Sequence, residues 1–288
     1  MHLNLVLVLA SAVVGFAVGL TGVGGGALMT PMLVLLFGIA PSTAITSDLV
    51  AALVMKPFGV SVHLRRRTIH WSLVGYLCLG SVPAALLGAW TLHQLGTSHG
   101  AEHLVQRILG AALVIGAAAL LTRPFVPHVD ADESLVVRRL PLVAVGVLGG
   151  FMVGLTSVGA GSLIVIFLLA LYPRLANDRL VGTDLAQSLP LTAAATLGTL
   201  LFGHVHFGVT LDIILGSVPA VILGARLSSR SFSRHLRPII ATLVLLSGLK
   251  YIGAPQLLLG VGALVLLPAS LGLVIRSARR TPTVLEAS

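Results

Sequence analysis

Two stretches of this chain, "GFAVGLTGVGGGAL" at 15–28 and "GFMVGLTSVGAGSL" at 150–163, match at ten of fourteen positions across a separation of 135 residues. A second pair, "GSVPAALLGA" at 80–89 and "GSVPAVILGA" at 216–225, matches at eight of ten across 136. Two matches in register mark an internal duplication, so whatever one half folds into, the other must repeat. Between the anchors Asp48 falls on Asp184, His70 on His206, Trp71 on Phe207 and Lys56 on Thr192. The expected organisation is a first repeat at 1–122, a linker at 123–139, a second repeat at 140–253, and an extra span with a tail at 254–288.

What the repeat folds into follows from its solvent. Of 288 residues, 56% are hydrophobic and 9% charged, and mean hydropathy is +1.04. A soluble domain carries about 25% charged residues, so this chain belongs in a lipid bilayer. Apolar stretches long enough to span recur along its length, giving an all-α polytopic membrane protein. The net charge of +9 sits in short loops such as "HLRRRT" and "RSFSRHLR", which mark a cytoplasmic face rather than a nucleic-acid partner. The one cysteine, Cys78, supports neither a disulfide nor a thiolate metal site. The opening "MHLNLVLVLASAVVG" lacks a basic leader, and its continuation recurs inside the chain, so it reads as a span rather than a signal peptide.

Each half holds five hydrophobic segments: 3–20, 25–38, 43–62, 71–93 and 103–121, then 140–156, 160–172, 182–202, 208–228 and 236–253. The second of each set is short. At 1.5 Å per residue it covers roughly 20 Å of a hydrocarbon core about 30 Å thick. These segments read as half-helices that pair as re-entrant hairpins with the segment before them.

Loop charge orients the halves. Arg65, Arg66 and Arg67 have no counterpart at 203–207. Arg226, Arg230, Arg234 and Arg237 have none at 94–102, and Arg174 and Arg179 have none in "GIAPST". Matching loops take opposite sides, so the expectation is two inverted repeats, the architecture of secondary transporters. The linker and tail come out cytoplasmic and the amino terminus external, in a bacterial inner membrane. Lys250 near an external end is the misfit.

Non-helical backbone at membrane depth must line a cavity or be buried in protein. The glycine runs open the half-helices, whose N-termini present unpaired N–H groups and the positive end of the helix dipole. Glycine lets a ligand approach that backbone. The expected anion site comprises Gly22, Gly24, Gly25 and Gly26 with Gly159, Ala160 and Gly161, plus hydroxyls from Thr21, Thr156, Ser157 and Ser162. The alternative is a small-residue packing face, as the Gly15/Gly19 and Gly22/Gly26 spacings allow.

The stretch "GLTGVGGGALMTPMLVLLFGIAPSTAITSDLVAAL" resembles the amino-terminal signature of the TauE/SafE sulfite exporter family, and "LGARLSSRSFSRHLRPIIATLVLLSGLK" resembles its carboxy-terminal one. The likeness spans nearly the whole chain. It implies transport of sulfite, an organosulfonate or another small anion, driven by the proton motive force, with no cofactor. The sequence departs from the fuller glycine run at "SVGAG".

Charges within spans are costly, about 2.5–3.5 kcal/mol for a central lysine on insertion scales. Lys56 is therefore a candidate partner of the anion or a proton-coupling group; the alternative is that it snorkels to the cytoplasmic side. Pro57 and Pro190 kink equivalent helices. Asp48 and Asp184 read either as helix N-caps or as proton-coupling carboxylates, with Ser47 and Thr183 as further ligands. His63, His70, His204 and His206 read as loop residues and only a weak metal signal. No catalytic motif is present, so an enzyme is not expected. The partners expected are a small anion, protons and the bilayer, with a homodimer compatible. An anion channel and a non-transporting scaffold remain the rival readings.

Overall fold

The computed structural model describes residues 3–21, 24–97, 102–122, 137–158, 163–173, 175–202, 206–227, 230–262, 264 and 268. Among the described residues the main helices are α1 (Leu5–Thr21), α2 (Gly26–Phe37), α3 (Pro41–Arg65), α4 (Trp71–Thr97), α5 (Glu102–Thr122), α6 (Arg139–Thr156), α7 (Leu163–Leu171), α8 (Asn177–Phe202), α9 (Phe207–Leu227) and α10 (Arg230–Ile252). Six of them (α3, α4, α5, α6, α8 and α9) are long and apolar enough to cross a membrane. The chain is thus an all-helical, multi-pass membrane protein. Residues 123–136 of the expected linker 123–139 and the tail after 268 lie outside the described residues; after a break at 253–255, helix resumes at 256–262.

Helix ends follow local chemistry. The second segment of each half is indeed short, at 12 residues in α2 and 9 in α7. Gly38 stops α2 in the left-handed region at φ 63°, a conformation glycine adopts without a Cβ penalty. Pro41 opens α3, where a missing N–H is no loss. Consequently α3 and α8 start earlier than the apolar stretches suggested, and Asp48 and Asp184 lie about two turns inside their helices. The N-cap reading of both aspartates is therefore wrong.

Four of the packed helix pairs fix the relative directions of the helices. On α4 and α6, a Cβ at Gly80 would strike the backbone of Val143, and one at Gly88 that of Phe151. On α1 and α9, Gly15 meets Ser217 and Gly19 meets Val221. Residue numbers rise together in both seams, so these helices run parallel. The other two pairs run antiparallel. Gly110 of α5 lies against Tyr251 and Ile252, whereas Gly248 of α10 lies against Leu113 and Val114. On α3 and α8, Leu49 faces Thr196, Lys56 faces Ser188 and Thr192, and Gly59 faces Leu185.

Exchanging the halves (α1 with α6, α2 with α7, and so on) maps each main packed pair onto another or onto itself. The core follows suit. One apolar cluster is centred on α4, α6, α7 and α8, another on α1, α2, α3 and α9, and the third on α5 and α10. Helix α3 feeds Leu49 into the first and Ala51, Ala52 and Met55 into the second. Its middle therefore stands between the two halves.

Candidate functional site

The first half-helix tip and the second repeat meet at this midpoint. Helix α6 ends at Thr156, and Ser157 turns the chain in the left-handed region at φ 60°, its N–H donating to the Val153 carbonyl. Helix α2 begins at Gly26, with Gly25 as its N-cap. The two ends touch: a Cβ at Gly26 would overlap the Ser157 carbonyl. Glycine is required there by close approach of backbone to backbone. Gly25 differs, since a Cβ would find only ordinary contacts, 3.6 Å to Met55 Cε and 3.8 Å to Asp48 Oδ1. Among the described residues, the first backbone amide of this turn to find an acceptor is that of Ala27, bonded to the Gly24 carbonyl.

A small cavity opens beside these tips, lined by Gly24, Gly25, Gly26, Leu49, Ala52, Lys56, Val153, Ser157 and Thr192. Its free space is of the order of a single water molecule, so the walls are closed together in this conformation.

Asp48 is fully buried on α3 beside the cavity. Its Oδ2 accepts from Thr30 Oγ1 at 3.0 Å and from Ser157 Oγ at 2.8 Å, tying α2 and the α6 tip to α3. Its Oδ1, on the side of Gly25, has no partner among the described residues. A buried carboxylate oxygen left this way is costly.

Lys56 points inward, to α8. Its ammonium donates to the Ser188 carbonyl at 3.2 Å and to Thr192 Oγ1. Thr192 is the residue that replaces the lysine in the other half, so the two equivalent positions bond each other where α3 and α8 cross. The cavity thus has a cation in its wall, with the buried carboxylates of Asp48 on α3 and of Asp184, one turn before Ser188 on α8, in the helices that carry it.

Of the remaining expected residues, Thr21 and Thr156 are buried, but each hydroxyl donates to a carbonyl of its own helix, Ala17 and Met152, both at 2.7 Å. Thr183 is buried, and its hydroxyl accepts the His70 backbone N–H at 3.0 Å. Ser47 is buried without a hydrogen-bond partner for its hydroxyl among the described residues. Asp184 is buried on α8. Gly22, Gly159, Ala160, Gly161, Ser162 and His204 lie outside the described residues.

Thr30, Leu49, Ala52, Val153 and Ser188 were not anticipated as site residues. The α8 members carry a signal: Asp184, Ser188, Thr192 and Thr196 recur every four residues, which places them on one helix face. Thr30 carries no such mark.

The chain can be set beside known proteins at this point. Residues 7–251 match the family described as sulfite exporter TauE/SafE. A probable membrane transporter protein of Bacillus subtilis, YjnA, is 40% identical over 252 residues, covering 85% of this chain and 98% of that protein. A probable membrane transporter protein of Xylella fastidiosa is 26% identical over 230 residues, covering 79% and 86%. Another from Bacillus subtilis, YdhB, is 23% identical over 254 residues, covering 84% and 100%. No solved structure matches the chain.

Proposed function

Because the chain belongs to the TauE/SafE sulfite exporter family, we propose that it is a secondary transporter of a small sulfur-containing anion, sulfite or an organosulfonate, working by alternating access with proton coupling. The observation that carries this reading is the convergence of the α2 N-terminal turn, the α6 tip and Lys56 on one cavity where α3 and α8 cross. A polyatomic anion needs a cation and N–H or O–H donors held away from water, and Lys56, the Gly25–Gly26 turn and Ser157 supply them.

Each half contributes one helix to this crossing, and equivalent helices pass antiparallel there, as α5 and α10 do. A two-fold relation between antiparallel mates has its axis perpendicular to the helices, hence in the membrane plane, which is the relation of inverted repeats. The repeats are 1–122 and 140–253. Arginine distribution then puts the 66–70 loop and the chain's end in the cytoplasm and the amino terminus outside.

In this mechanism the anion displaces Lys56 from the Ser188 carbonyl and Thr192. Asp48 takes a proton on Oδ1, with Asp184 as its counterpart on α8, so that an anion entering beside two carboxylates is not repelled. Hydroxyls from Ser47 and Thr183 sit one residue before these carboxylates.

The test is counterflow of radiolabelled sulfite in proteoliposomes, with unlabelled anions competing, with and without an imposed pH gradient. Accumulation that sulfite and sulfonates compete, and that the gradient drives, is expected. Flux that only dissipates a gradient would make the protein a channel, and label that never exchanges beside a competent control transporter would remove sulfite as cargo.

A further inference from the structure

The duplication offers an internal comparison, because equivalent interfaces of similar chemistry are in different states. At the start of α4, the His70 backbone N–H donates to Thr183 Oγ1 on α8 at 3.0 Å. Adding or subtracting 136 gives the equivalent positions, His206 at the start of α9 and Ser47 on α3. The residue types are preserved, an N–H beside a helix start and a small hydroxyl on its neighbour. The bond is not made there: Ser47 is fully buried, yet its hydroxyl has no partner among the described residues.

The far ends of the same helix pairs differ in the same sense. Ala89 on α4 is 1% exposed, covered by α8, where a Cβ at Gly198 would come within 2.7 Å of the Ala89 side chain. Its equivalent in the repeated "GSVPAVILGA" motif, Ala225 on α9, is exposed. Between these ends α4 and α8 are further tied by Ser81 to Gln187 at 3.4 Å. The α3–α9 interface has alanine at 51 in place of that glutamine, and Ser217 turns its hydroxyl back to the Ile213 carbonyl. One interface is held along its length, while its equivalent lacks the matching hydrogen bond at one end and leaves the matching alanine exposed at the other.

We propose that the α4–α8 and α3–α9 interfaces are the two alternating seals of the carrier, and that this structure has the first closed and the second released. In the opposite state Ser47 Oγ accepts the His206 backbone N–H, and Thr183 lets go of His70. The inference rests on the carrier reading above, and adds which surfaces separate and which pair of hydroxyls reports it. The two packings are built on the same "GSVPA" and "LGA" matches of α4 and α9, so part of what one interface loses in the exchange the other gains. Ser47, buried and unsatisfied here, is the group that gains.

The test uses the full chain with Cys78→Ala, carrying either His70→Cys with Thr183→Cys or Ser47→Cys with His206→Cys, in proteoliposomes with a short thiol cross-linker. Without sulfite the 70/183 pair is expected to cross-link and the 47/206 pair to lag. With saturating sulfite on both sides the ratio of the two yields moves towards inversion. Each cross-link stops counterflow, and cleaving it restores counterflow. To guard against variants that fail to fold, Thr183→Ser and Thr183→Ala are compared by thermal stability and exchange rate. Serine keeps the seal, whereas alanine, placed in the Ser47→Cys with His206→Cys background, raises the 47/206 yield without sulfite. Yields that ignore sulfite while the uncross-linked proteins still exchange it overturn the seals and leave the carrier intact. Absence of exchange for sulfite and methanesulfonate in the Cys78→Ala parent overturns the carrier reading and this inference with it.

Discussion

The glycine-lined seams and the polar crossing use the same residue for opposite ends. Along α4–α6 and α1–α9, Gly80, Gly88, Gly150, Gly154, Gly15 and Gly19 stand where any Cβ would run into the backbone of the facing helix. Without a hydrophobic drive between helices in lipid, such close approach is what holds them. At the α3–α8 crossing, Gly25 has room for a Cβ and borders a cavity with Lys56 and Ser157. Gly26, one residue on, belongs to the first kind. The lesson is that a glycine run in a membrane helix serves both packing and binding, residue by residue, and that only the facing atoms say which.

The strongest challenge to this contrast is Gly154→Val. Its side chain would enter the Ala85 backbone, and overpacking of this kind costs about 3 kcal/mol or more. Loss of monodisperse protein in detergent is expected, and normal folding would deny the seam its role. Next comes Lys56→Gln, which keeps hydrogen bonding to Ser188 and Thr192 but removes the charge. Losing a charged hydrogen bond of about 1.5–3 kcal/mol weakens anion binding roughly 10- to 100-fold, read as a rise in the concentration for half-maximal counterflow at unchanged folded yield.

Asp48→Asn retains a carbonyl oxygen for Thr30 and Ser157, but cannot release a proton. Exchange of sulfite is expected to persist while pH-gradient-driven accumulation is lost; accumulation that survives would move coupling elsewhere. Thr192→Val removes one acceptor of Lys56 and lowers thermal stability by about 1 kcal/mol without weakening sulfite counterflow. The smallest effect is that of Gly25→Ala. The added methyl makes only ordinary contacts, so stability moves by less than about 1 kcal/mol, in contrast with Gly154→Val.

Much of the fold was legible in the chain. The short second segments became α2 and α7 because glycine and proline interrupt the helix at known places, Gly38 and Pro41 among them. The starts of α3 and α8 were misplaced because "PSTAITSD" and "NDRLVGTD" are too polar to read as membrane helix. Thr46, Ser47, Asp48, Thr183 and Asp184 are nonetheless buried, and helix at membrane depth tolerates polar side chains that turn inward to protein. At the site, Gly24, Gly25, Gly26, Ser157 and Lys56 could be selected from the repeat and from the cost of a buried charge. Thr30 and the Ser188 carbonyl could not, since one lies on an ordinary helix face and the other belongs to backbone common to every residue.

By itself the sequence determined the solvent, the all-helical backbone that such a solvent demands, the duplication, and the points where helices break. Those follow from composition and local stereochemistry, which depend on near neighbours in the chain. Only the tertiary structure decided which helices run parallel, that Lys56 meets Thr192 across the two halves, that Asp48 holds Thr30 and Ser157 on one oxygen, and that one of two equivalent interfaces is sealed. These depend on crossing register between helices that are separate in the chain, which no local preference encodes.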